Sequence, residues 1–145
     1  MEGYENVTTQ TGLRGRWQIV QANPLVICDT GHNVAGITDT MESLQSLYND
    51  RTIRFVVGFV NDKDVEHIVN LFPTSGKYYF TKASIPRAMD EREVAEHFSR
   101  NGINGITFPS VDTAFQAALA DSSPSDIIYI GGSTFIVADF LAAIQ

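Results

Sequence analysis

The chain has 145 residues, 43% hydrophobic and 19% charged, with a formal net charge of −7 and one cysteine. That length holds one domain, burying roughly 68–70% of the surface its unfolded chain exposes. The acidic balance argues against a nucleic-acid or membrane-surface partner, which would want a basic patch, and a lone cysteine excludes an internal disulfide or a zinc–thiolate cluster.

No run reaches the about 18 apolar residues of a membrane span, and Met1-Glu-Gly-Tyr-Glu-Asn6 has no signal-peptide pattern, so a reducing, cytoplasmic setting is expected. Residues 1–15 are polar, glycine-containing and without periodicity, and read as a linker rather than a first element. Trp17–Gln21 alternates large and polar residues, and Leu25–Cys28 follows across Ala22-Asn-Pro24, predicting a hairpin and hence an antiparallel strand at one edge of the sheet. From Val34 to Tyr48, Ile37, Met41, Leu44 and Leu47 recur at helical spacing.

Ile53–Val60 is a buried-type strand, and Asn61-Asp62 is the expected cap of a short helix carrying Val65, Ile68 and Val69. After Pro73-Thr-Ser-Gly76, Lys77–Thr81 is a strand weakened by its tyrosines, and Ala83–Met89 is a loop, since Pro86 disfavours helix at Ile85. Asp90 caps a helix from Glu91 to about Arg100, with Asn101-Gly102 as its stop. Ile106–Phe108 is a short strand, Val111–Ala120 a helix, Ile127–Ile130 a strand and Thr134–Ile144 the closing helix. A hairpin followed by alternating strands and helices, with hydrophobic-run strands, predicts an α/β fold. It is a Rossmann-like, three-layer αβα domain with a six-stranded, mostly parallel sheet.

Leu25-Val-Ile-Cys-Asp-Thr-Gly-His-Asn33 is the centre of that grammar: a buried strand emptying into a turn that carries Asp29, His32 and Asn33. In open α/β sheets ligands sit outside the carboxyl ends of strands. The same edge should hold Asn61, Asp62, Lys63 and Asp64, then Ser84, Pro86 and Arg87, then Gly131, Gly132 and Ser133. An acid directly after a strand can accept from two vicinal ribose hydroxyls, or it can be a loop or cap acid facing solvent. Gly131-Gly132-Ser133 can aim backbone N–H groups at an anion, or be a plain tight turn. Lys63 near a helix start opposes the macrodipole, which suits a cation kept for a ligand. Arg16, beside the linker, is either a phosphate clamp or an ordinary exposed arginine. Cys28 should simply pack, and His67 and His97 should be solvated. There is no phosphate loop of the Walker type, no G-x-G-x-x-G, no G-x-S-x-G elbow and no histidine pair at metal-ligand spacing.

Five pieces stand in order along the chain: Thr11-Gly-Leu-Arg-Gly-Arg-Trp17, Asp29-Thr-Gly-His-Asn33, Gly58-Phe-Val-Asn-Asp-Lys-Asp64, Pro86-Arg-Ala88 and Gly131-Gly-Ser-Thr-Phe135. In this order and spacing the sequence resembles the C-terminal domain of the folylpolyglutamate synthase/dihydrofolate synthase family, within the Mur ligase superfamily. The resemblance implies an ATP-dependent ligase that activates a folate or dihydropteroate carboxylate as an acyl phosphate and joins L-glutamate to it. It implies that Asp29 holds the ATP ribose, that Arg16 reaches the terminal phosphates, and that His32 lies at the nucleotide, Arg16 and His32 being the catalytic pair. Asn33, Lys63 and Ser133 fall where the superfamily binds the incoming amino acid. Gly31 stands where the family usually has alanine, and Thr134 interrupts its usual Gly-Ser-Phe.

The family's phosphate loop, its magnesium ligands and most of its folate pocket belong to an N-terminal ATPase domain that this sequence does not contain. The expectation is therefore a linker remnant (1–15) leading into a C-terminal domain (16–145) that folds alone, as a monomer, but does not catalyse alone. It would work with ATP and Mg²⁺ and bind neither nucleic acid nor membrane. Two other readings stand beside this one. The domain could come from a cell-wall precursor ligase of the same superfamily, or it could be a non-catalytic small-ligand module of receiver or flavodoxin type. The second fits poorly, since Thr81 and Gly131-Gly132 occupy strand ends where a receiver wants aspartate and lysine.

Overall fold

A computed structural model describes residues 17–61 and 64–144. Arg16, Lys63 and the linker 1–15 lie outside the described residues. Six strands and five helices alternate within them: β1 (Gln18–Gln21), β2 (Leu25–Cys28), α1 (Val34–Leu47), β3 (Ile53–Val57), α2 (Val65–Val69), β4 (Lys77–Phe80), α3 (Glu91–Ser99), β5 (Gly105–Thr107), α4 (Val111–Asp121), β6 (Ile127–Gly131) and α5 (Thr134–Ala143). They form one sheet in the order β1-β2-β6-β3-β4-β5, with β1 antiparallel to β2 and every other pair parallel. The expected hairpin is present: Asn23, at a left-handed φ of 65°, and a cis Asn23–Pro24 bond make its turn.

Side chains alternate across the sheet at the two-residue period of a strand. Ile27, Phe55, Val57, Tyr78, Phe80 and Tyr129 face α1, α2 and α3. Val26, Cys28, Val56, Tyr79, Ile128 and Ile130 face α4 and α5. Every central strand is thus covered on both sides, which explains their unbroken apolar runs. The tyrosines of β4 do not weaken it. The Tyr78 ring stacks on Phe55 at 4.7 Å between centroids, and Tyr79 sends its hydroxyl past the strand ends to Asp121.

Three boundaries differ from the sequence reading. β3 stops at Val57 rather than Val60, just before Gly58, where a Cβ would lie 2.4 Å from the Thr81 carbonyl oxygen. Val60 instead makes an antiparallel bridge with Ala88. α2 starts at Val65, after Asp64, so Asn61 is not its cap. β5 comprises Gly105–Thr107 and is an exposed edge, with Ile106 61% exposed.

Candidate functional site at the switch point

The chain steps from β2 to β3 and on to β5, then returns to place β6 between β2 and β3. The helix after β2 packs on one face and the helix after β6 on the other. Their diverging starts open a crevice at the carboxyl ends of these strands, the switch point where α/β sheets take ligands.

Two glycines let the strand ends close on one another. Gly132 has φ +100°, and a Cβ there would stand 2.4 Å from the Gly58 carbonyl oxygen. A Cβ on Gly131 would stand 2.9 Å from the Asp29 carbonyl oxygen. The Asp29 amide donates to Ile130 O at 3.1 Å and the Gly58 amide to Gly131 O at 3.4 Å, so the ladder runs on past the strands. Gly131-Gly132 is therefore the crossing of the β2, β6 and β3 ends, and it leads directly into α5.

Asp29 differs from expectation. It is 1% exposed rather than facing solvent. Its Oδ1 accepts the Gly31 amide at 2.7 Å and its Oδ2 the Thr40 hydroxyl at 2.5 Å. The side chain turns in beneath its own loop and fastens it to α1, because a buried carboxylate needs donors close at hand. Thr40 was not singled out from the sequence. Its signal is a hydroxyl on the apolar face of α1, one position before Met41 and three after Ile37. The turn at Gly31 is tight: a Cβ would sit 3.2 Å from Asp29 Oδ1 and 3.3 Å from the Gly36 carbonyl carbon.

Asn33 and Ser133 both prove to be helix caps. Asn33 is exposed, and its Oδ1 accepts the Gly36 amide at 2.9 Å at the start of α1. Ser133, 3% exposed, accepts the Ile136 amide on Oγ at 3.2 Å at the start of α5. In each case the cap uses an acceptor, so the Asn33 NH₂ and the Ser133 hydroxyl proton keep donor capacity, the polarity a carboxylate needs. His32 is exposed, with Nδ1 3.3 Å from the Thr30 carbonyl oxygen. With Phe59, Val60, Val65, Ile68 and Gly132 it lines a hollow of about 30 Å³. Residues from after β2, β3 and β6 thus meet at one place, as the spacing required.

Cys28 packs, as expected: burial first, then the neighbouring Asp29 charge, push its thiol up to about 12. His97 does not conform. It is mostly buried and pairs with Glu66, which also takes Arg100 at 3.0 Å, tying α2 to α3 away from the crevice. His67 is exposed, as expected.

Over residues 15–134 the chain matches the family described as Mur ligase, glutamate ligase domain. It belongs to that family. Among curated proteins, this glutamate ligase domain is 30% identical over 134 residues to the dihydrofolate synthase/folylpolyglutamate synthase of Escherichia coli K12, across 92% of the chain and 31% of that protein. A probable bifunctional folylpolyglutamate synthase/dihydropteroate synthase of Halobacterium salinarum is 27% identical across 94% of the chain and 17% of its own length. The fold superposes on E. coli FolC in complex with DHPP and ADP with a TM-score of 0.83 at 29% identity, over 91% of this chain and 31% of that one. A bifunctional folylpolyglutamate synthase/dihydrofolate synthase with Mn, AMPPNP and L-glutamate bound gives 0.82 at 28%, over 92% and 32%. The domain corresponds to the C-terminal part of the dihydrofolate synthase/folylpolyglutamate synthases and spans about a third of their length. Membership in this family leaves no room for the receiver or flavodoxin reading.

Among the described residues no helix is long and apolar enough to cross a membrane. Nor, among them, do three His, Cys, Asp or Glu side chains gather where they could hold a metal ion.

Proposed function

We propose that this domain is the nucleotide- and amino-acid-facing part of a cytoplasmic, ATP-dependent ligase that joins L-glutamate to a folate or dihydropteroate carboxylate through an acyl phosphate. The observation that carries the reading is the hollow that His32 and Gly132 line together at the switch point of a glutamate ligase domain, each next in sequence to a helix cap, Asn33 and Ser133. Relatives of this domain bind ADP, AMPPNP and L-glutamate, which supports the choice of ligands.

Each residue then has a task its chemistry suits. The buried Asp29 carboxylate fixes the 29–33 loop, and an ionised carboxylate has about four lone-pair sites, so it can still accept a ribose hydroxyl when the nucleotide docks. His32 stands at the mouth of the crevice, with Nε2 available to a phosphate or a leaving proton. Asn33 and Ser133 offer donors to glutamate, reinforced by the positive end of α5. Arg16 and Lys63 would add the cations: Arg16 toward the terminal phosphates, where charge grows during transfer, and Lys63 toward a glutamate carboxylate. The described residues do not suit a magnesium ion, and no step here runs through one. The activated carboxylate and the magnesium ligands belong to a preceding ATPase domain, joined through residues 1–15, and the whole works as a monomer.

Alone, the domain should bind nucleotide weakly. Two charged hydrogen bonds at ~1.5–3 kcal/mol each, against an association cost of ~4 kcal/mol or more, leave roughly millimolar affinity or weaker. Titration of the ¹⁵N-labelled chain with Mg-ATP should move the amides of 29–33 and 131–134 at millimolar ligand. Absence of movement there, with a different small molecule binding elsewhere, would overturn the reading.

A further inference from the structure

Thr40 stands in the apolar stripe of α1 beside the buried Ile37, Met41 and Leu44, and is itself 2% exposed. A buried hydroxyl needs an acceptor, and the helix supplies one: Oγ1 lies 3.1 Å from the carbonyl oxygen of Gly36, four residues back. The same oxygen has a second acceptor that the helix does not require. It lies 2.5 Å from Asp29 Oδ2, at the short end of the range for a hydroxyl meeting a carboxylate. A hydroxyl carries one proton. Asp29 and Gly36 therefore compete for it, and the shorter, charge-assisted bond to Asp29 takes it here.

The two acceptors lie on opposite sides of the joint between the 29–33 loop and α1. Asp29 Oδ1 holds the Gly31 amide at 2.7 Å and so belongs to the loop, whereas Oδ2 is tied across to the helix. Gly36 is in the first turn of α1, with its amide capped by Asn33, and a Cβ on Gly31 would lie 3.4 Å from its carbonyl oxygen. Passing the proton from Asp29 to Gly36 needs only rotation about the Thr40 C–O bond, with no backbone movement. Thr40 is satisfied in either position, so giving up Asp29 Oδ2 strands no buried donor.

We propose that Thr40 is a positioning residue of the nucleotide site, a rotor whose hydroxyl holds Asp29 Oδ2 inward while the site is empty and turns to Gly36 when a ribose hydroxyl takes that oxygen. This rests on the reading of Asp29 as the ribose acceptor. A carboxylate that is 1% exposed cannot be left without donors, and Thr40 supplies one until the nucleotide arrives. The ribose then replaces a donor instead of meeting a bare carboxylate, so its hydroxyls add less to affinity than the contact alone would give.

The test is NMR titration of the ¹³C,¹⁵N-labelled chain with Mg-ATP and, separately, with Mg-2′,3′-dideoxy-ATP, in the unaltered protein, Thr40→Val and Thr40→Ser. In the unaltered protein the Gly36 carbonyl carbon should shift downfield with Mg-ATP, as it gains the hydroxyl, and stay in place with the dideoxy nucleotide. Thr40→Val removes the competing donor at similar shape. The ratio of ATP to dideoxy-ATP affinity should then rise about two- to tenfold, the worth of one hydrogen bond. Thr40→Ser should return both the ratio and the carbonyl shift to those of the unaltered protein. A threonine with a structural task alone would move the melting temperature and leave the ratio where it was. A Gly36 carbonyl that stays still with Mg-ATP, or answers equally to both nucleotides, overturns the rotor, as does an unchanged or lower ratio in Thr40→Val. Should Thr40→Val not fold, the Gly36 carbonyl of the unaltered protein decides alone. If Mg-ATP moves the amides of 29–33 while these signs fail, the rotor falls and the ligase reading stands. If neither nucleotide perturbs that loop, both fall.

Discussion

The two ends of the sheet are built on opposite rules. At the amino ends, polar groups are locked to one another. Arg54 donates through Nε to Asp126 at 3.1 Å and through Nη1 to the Tyr79 hydroxyl at 2.9 Å, and that hydroxyl donates to Asp121 at 2.8 Å. Ser123 adds its amide and hydroxyl to Asp126. At the carboxyl ends Asp29 is likewise fastened to Thr40, but Asn33 and Ser133 cap their helices through acceptors alone and keep donor capacity. One end closes the fold, and the other is left chemically open.

The largest effect should come from filling the glycine crossing. Gly132→Ala forces a side chain into a left-handed conformation and against the Gly58 carbonyl, and should cost about 3 kcal/mol or more by urea denaturation. Asp29→Ala should follow at about 2–3 kcal/mol, since it removes the acceptor of the Gly31 amide and leaves the buried Thr40 hydroxyl only the Gly36 carbonyl oxygen, at 3.1 Å. Asp29→Asn, which keeps an acceptor, should lose less by the same assay. An unchanged melting temperature in Asp29→Ala would mean that the carboxylate is not the fastening of its loop.

At the amino end, Arg54→Leu should cost about 2 kcal/mol, a figure kept below that of a deep ion pair because Arg54 is partly exposed. Burial would raise the Asp126 carboxyl, but hydrogen bonds from Ser123 and then Arg54 outweigh it and hold it below the usual carboxylate range. Its folded value is thus below its unfolded one. The stability it lends is complete above about pH 4 and is lost as the pH falls through the folded value. Asp126→Asn should flatten stability against pH in that acid range, measured by urea midpoints at stepped pH. The smallest effect is at the open end: Asn33→Ala should lose about 1 kcal/mol through its cap alone. His32→Ala should leave the melting temperature within error while weakening the Mg-ATP shifts, which would sharpen the contrast between the two ends.

The layers, the antiparallel edge and the gathering of Asp29, His32, Asn33 and Ser133 were legible because each rests on local spacing: apolar runs, a strand ending in an acid, a glycine pair before a helix. What the sequence did not display were relations between distant segments. Asp29 turns inward because Thr40, eleven residues on, supplies a donor. β3 ends at a glycine, Gly58, with no room for a side chain beside the carbonyl of Thr81, just past β4. His97 reads as a solvated helical residue until α2 brings Glu66 to it. Asn33 and Ser133, expected as ligand contacts, are helix caps, a role their place at a helix start also allows.

The place of β6 bears on how the domain is made. The strand that joins β2 to β3 is the last of the six to leave the ribosome. Until it does, the nascent chain holds a β1–β2 hairpin and a β3–β4–β5 fragment with nothing between them, and the flanks of β2 and β3 lack their hydrogen-bond partner. Such unpaired, apolar edges favour association between chains. Synthesis of the final segment therefore zips the two halves together in one late step, and a chain stopped short of residue 127 would be a client for chaperones rather than a smaller domain.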